Sequence, residues 1–78
     1  MEKSKKERMS DILVKLEDVK NSQEALIVKI ATIHIELLEL PDNELEKAVG
    51  EAHSSATSNT EKIKNAIEKY QVAINSLE

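Results

Sequence analysis

The sequence predicts an all-α fold: an antiparallel two-helix coiled-coil hairpin that dimerises into a four-helix bundle. Three observations carry this. Charged residues are a third of the chain, Tyr70 is the only aromatic, and Gly50 and Pro41 occur once each. That is the composition of long helices, because sheets need turn residues and aromatic or β-branched strands throughout. Two sustained heptads follow one another, and a single helix-breaking segment separates them.

The first heptad runs through Met9, Ile12, Leu16, Val19, Gln23, Leu26, Ile30, Ile33, Leu37 and Leu40, in alternating steps of three and four. Such a stripe lies along one edge of a helix, where another helix can cover it. A strand reading of "IHIEL" alternates over five residues only, so the heptad prevails. Helix 1 is expected over about 9–39, and residues 1–8 are expected to form a flexible basic arm.

The breaker is "LPDNE". Pro41 disfavours helical geometry at Leu40 and cannot continue the helix. Asp42 or Asn43 is placed to cap the next helix, and Asn43 with Glu46 has the spacing of a capping box. With the turn at 40–43, helix 2 is expected over about 43–77. A connection this short makes the helices antiparallel.

The second heptad runs through Leu45, Val49, Ala52, Ala56, Asn59, Ile63, Ala66, Tyr70, Ala73 and Leu77. Pairing residues whose numbers sum to 85 or 86 sets Leu37 on Val49, Ile33 on Ala52, Ile30 on Ala56 and Leu26 on Asn59. It continues with Gln23 on Ile63, Val19 on Ala66, Leu16 on Tyr70 and Ile12 on Ala73. The segment "HSSATSNT" (53–60) holds poor helix formers, and Ser58 with Glu61 could cap a third helix. The unbroken heptad favours one continuous helix instead.

Gln23 and Asn59 are polar positions in adjacent seam layers, expected either to fix the hairpin register or to leave a wet middle. Val28, Ala31, Ile35 and Leu38 step along the outer side of helix 1, Ile27 lies beside the seam, and Val14 extends the line. A helix that is apolar nearly all round is normally buried. These residues are therefore the expected interface, either with a second copy or with helices of another protein. The outward positions of helix 2 are polar, so helix 1 is expected at the centre of any assembly.

His34 and His53 fall on one side of the expected seam, where their rings could approach. Two imidazoles alone do not complete a zinc site, so no metal and no cofactor is expected. Nucleophile–base pairs, phosphate loops and a concave pocket are not recognisable, and the chain reads as a non-enzyme. There is no Cys, hence no disulfide and no thiolate site. Net charge is −4, with +2 over residues 1–8 and −5 over 36–51. A duplex-binding basic face is missing, so nucleic acid is not an expected partner. The start "MEKSKKERMS" leads into no apolar run, and the stretch from Ala25 to Leu40 is too short and too interrupted to span a bilayer. A cytoplasmic protein is expected.

In size and hairpin form the chain resembles the small helical hairpins of type VII secretion and their accessory partners. That likeness implies a partner or chaperone role toward a larger helical exported protein. The sequence departs from those hairpins at the turn, where Leu40–Pro41–Asp42 stands in place of a Trp-Xaa-Gly. It departs again in "YQVAINSLE", which lacks a carboxylate four residues after Tyr70. It also resembles small helical regulators of bacterial kinases and repressors, which cover a partner's helices with their own. The primary expectation is an interaction module of this regulator or adaptor type.

Overall fold

A computed structural model describes residues 4–77 as two helices packed against each other in a hairpin. The first, α1, is Lys5–Glu36; the second, α2, is Asn43–Asn75. α1 begins four residues earlier than its heptad implies, because Ser4 caps it. The Ser4 hydroxyl accepts from the Glu7 N–H at 3.1 Å, and the Glu7 carboxylate accepts from that hydroxyl at 3.3 Å. This Ser-x-x-Glu pattern is an N-terminal signature. Residues 5–8 of the expected arm are therefore helix, while residues 1–3 lie outside the described part.

α1 ends at Glu36 rather than near Glu39. Leu38 N–H donates to Ile35 O and Glu39 N–H to Glu36 O, each at 3.1 Å, tightening the chain into i→i+3 geometry ahead of Pro41. Asp42, not Asn43, caps α2, its carboxylate accepting from the Leu45 N–H at 3.0 Å. α2 runs without a break through 53–60. Two of its hydroxyls there are absorbed by the helix: Thr57 donates to His53 O at 2.9 Å and Thr60 to Ala56 O at 2.8 Å.

The seam differs from the expected one by a rotation of both helices. On α1 the residues turned inward are Met9, Leu13, Leu16, Lys20, Gln23, Ile27, Ile30, His34 and Leu37. On α2 they are Glu46, Val49, His53, Ala56, Thr60, Ile63, Ile67, Tyr70 and Ile74. Both sets step by fours and threes, so the coiled-coil repeat holds. One column on each helix is the expected one (Leu16, Ile30 and Leu37 against Val49, Ala56 and Tyr70). The other has moved by one residue: Leu13 replaces Ile12, Ile27 replaces Leu26, Thr60 replaces Asn59, and Ile74 replaces Ala73. This amounts to turning each helix by about half a residue step, roughly 50°. On α2 the physical reason is size, since the rotation buries Ile67 and Ile74 in place of two alanines.

The core is thin. Ile30, Leu37, Val49 and Ala56 form the one buried cluster of the described residues, near the turn, with Ile27 packed on it. Leu13 and Ile74 are buried at the open end. Lys20, Gln23 and Thr60 occupy the middle of the seam, which is consequently the weakest stretch. The molecule exposes 6159 Å², whereas a compact monomer of its mass exposes about 4,700 Å².

Candidate interaction faces

Two apolar lines flank the seam on opposite sides. The outer flank carries Val28, Ile35 and Leu38, which are 66%, 65% and 79% exposed. Val14 continues it toward the N-terminus, and Ala31 is half-buried at its edge. Ile27 does not belong to this flank: the rotation seats it in the seam against the buried cluster. On the same side of the hairpin Glu24 approaches Lys64 at 3.9 Å. Both side chains are about half exposed, so this pair adds little to stability.

The second line is the one that the heptad assigned to the seam. Ile12, Val19, Leu26 and Ile33 are between 41% and 48% exposed, and Leu40 closes the line at the turn. Facing them from α2 are Leu45, Ala52, Asn59, Ala66 and Ala73, all exposed. In an antiparallel pair the positions on one flank of each seam share a face. Ile33, Leu40 and Leu45 accordingly line one shallow groove at the turn, together with the carboxylate residues Glu36, Glu39 and Asp42. Sequence reasoning named all these residues but placed them inside. The signal for the correction lay in α2, where Ile67 and Ile74 were left out of the seam.

Gln23 and Asn59 are not brought together. Gln23 sits in the seam, and its Oε1 is buried with no hydrogen-bond partner among the described residues. Asn59 is exposed on the aliphatic flank, and Thr60 holds the seam position beside it. Of the two, only Gln23 is a seam residue.

The imidazoles do meet. His34 and His53 lie in the seam itself rather than beside it, half-buried, with ring centroids 6.2 Å apart and planes at 79°. Edge-to-face packing is the favourable arrangement for planar π systems. No group of three or more His, Cys, Asp or Glu side chains among the described residues could hold a metal ion. No described helix is long and apolar enough to cross a membrane.

Comparison with known proteins adds no kinship. No family model, curated protein or solved structure matches the chain. The chemistry available to the hairpin is thus that of its own faces: two aliphatic flanks, a small aromatic contact, and an acidic turn end from Glu36 to Glu51 with net charge −5.

Proposed function

We propose that this protein is a helical-hairpin interaction module of regulator or adaptor type, acting by binding rather than by catalysis, which covers helices of another protein with the outer flank of α1. The observation that carries this reading is the exposure of Val28, Ile35 and Leu38 by about two thirds or more along one side of α1 and the turn that follows it. Contiguous aliphatic surface of this kind is costly in water and marks interaction sites. With Ala31 the line Val28, Ala31, Ile35 and Leu38 steps by three, four and three, the spacing of anchors which seat one helix on another. The hairpin's turn end is acidic, with net charge −5 over residues 36–51, which suits a partner helix carrying lysine or arginine near that end.

The test places a photo-crosslinking residue at Ile35 in the full chain, in its native cell, with Ser58 on the polar side of α2 as the control position. Adducts to one helical protein from position 35 alone are expected, and they should fall away as salt rises or when Leu38→Glu is introduced. Equal labelling from both positions, or labelling indifferent to Leu38→Glu in a variant of unchanged helix content, refutes the reading.

A further inference from the structure

We infer that the opposite, aliphatic flank is the contact face for a second copy of the chain, joined about a two-fold axis parallel to the hairpin so that both turns lie at the same end. This goes beyond the partner reading above and uses different residues. The face has ten positions, five per helix, of which nine are apolar and the tenth is Asn59. None is charged. It runs along most of a molecule measuring 57 by 22 Å. Its footprint is on the order of 1,000 Å² per copy, more than the roughly 800 Å² each partner buries in a standard interface. The surplus of exposed surface over a compact monomer is of the same order.

The relief of the face selects the occupant and its orientation. One helix presents a ridge of large side chains and the other a trough of small ones, matched level by level. Ile12 is level with Ala73, Val19 with Ala66, Leu26 with Asn59 and Ile33 with Ala52. A two-fold axis along the hairpin sets α1 of each copy over α2 of the other. Ile12, Val19, Leu26 and Ile33 then each meet a smaller residue of the second copy at their own level. Leu40 and Leu45 of both copies close the turn end together. An axis across the hairpin would instead set ridge on ridge and leave trough over trough, with voids that packed interfaces avoid. All neighbouring helices in the selected arrangement are antiparallel, giving a closed four-helix bundle.

Charge agrees. The rims beside the face carry Arg8, Lys15, Ser22, Lys29 and Glu36 on α1 and Ala48, Ser55, Lys62, Lys69 and Ser76 on α2. In this pairing Arg8 meets Ser76, Ser22 meets Lys62 and Lys29 meets Ser55. Lys15 and Lys69 meet as like charges, and Glu36, Glu39 and Asp42 of the two copies come to the same end, all at exposed positions where screening is strong. The acidic residues Asp11, Asp18, Glu44 and Glu51 lie on the backs of the helices. A second copy consequently leaves the outer flank, with Ile35 and Leu38, free for the other protein.

Sedimentation equilibrium of the full chain tests this, at protomer concentrations of roughly 1 to 100 μM, the range over which a micromolar Kd is read. The wild type should reach twice its 8.7 kDa mass. Ala66→Glu, which adds a charge in the trough but touches no seam position, should remain at the single mass with unchanged helix content. Ile35→Glu should dimerise like the wild type. A wild type at single mass throughout overturns the inference, as does an Ala66→Glu variant that still dimerises. If Ile35→Glu alone abolished dimerisation, the copies would meet on the outer flank, and the inference would fall while the interaction-module reading stood. Mixing a Leu40→Cys chain with a Leu45→Cys chain tests the orientation. An inter-chain disulfide is expected on oxidation, and its absence would put the turns at opposite ends.

Discussion

The middle of the seam offers the sharpest test of how the helices are rotated. Gln23 lies there with its Oε1 buried and unpartnered among the described residues, level with Ile63 of α2. A buried acceptor without a partner costs about 1–3 kcal/mol. An aliphatic side chain at the same place would regain part of the roughly 1.5–3 kcal/mol that full burial brings. Gln23 is only partly buried as a residue, so both terms are discounted. Gln23→Leu should therefore stabilise the hairpin by about 1–2 kcal/mol, which raises Tm by roughly 5–12 °C for a domain of this size. Asn59→Leu, by contrast, changes an exposed position and should stay within about 0.5 kcal/mol. Urea titration followed by circular dichroism reads both, at a concentration where the chain sediments at its single mass. An unchanged m-value is required for the shift to count as stability. Equal gains from the two substitutions would restore the unrotated seam and refute the assignment. A fall in the midpoint of Gln23→Leu would show that the amide has a partner.

Two further outcomes follow from burial. Ile74→Ala removes a side chain that is 4% exposed and should cost about 2–4 kcal/mol, while Ile12→Ala, 48% exposed, should cost less than half as much; the reverse ranking in a denaturant series would contradict the seam described here. Gly50→Ala should stabilise by about 0.5–1 kcal/mol, because a Cβ there meets nothing within 4 Å and the glycine sits inside α2. A loss of stability on thermal melting would mean that the position approaches another backbone in the assembled protein.

Helix, turn and antiparallel order were legible because they depend on periodicity and on Pro41, both local properties of the chain. The half of the pairs whose numbers sum to 86 was legible for the same reason: Ile30 with Ala56 and Leu37 with Val49 sit in one buried cluster. The start of α1 is also written in the sequence, in Ser4 and Glu7, but it lies ahead of the apolar repeat, which begins only at Met9. The outer flank was visible as a leftover stripe, Ile27 excepted. What periodicity could not deliver was rotation. α1 carries two apolar columns, beginning at Met9 and Ile12, and on the other side of the Met9 column a half-polar one, Leu13, Lys20, Ile27 and His34, so the Met9 column can pair with either neighbour.

The choice between those columns is a contest between the helices, and its terms are close. Seating the column of Ile12 would bury Val19 and Ile33 where Lys20 and His34 now sit, a gain of about 1.5–3 kcal/mol for each. The same turn would replace Ile67 and Ile74 by Ala66 and Ala73. At about 0.8 kcal/mol per methylene and three carbons each, that loses roughly 5 kcal/mol. α1 and α2 thus favour opposite rotations by similar amounts. Two details lighten the cost on α1: the Lys20 stem can lie along the seam with its ammonium in water, and His34 finds the His53 ring. No comparable relief exists on α2, where exposed isoleucines could be rescued by nothing within the hairpin. α2 therefore sets the rotation. The displaced column of α1 becomes surface because a two-helix seam has room for only two columns, and a third is what a four-helix bundle consumes.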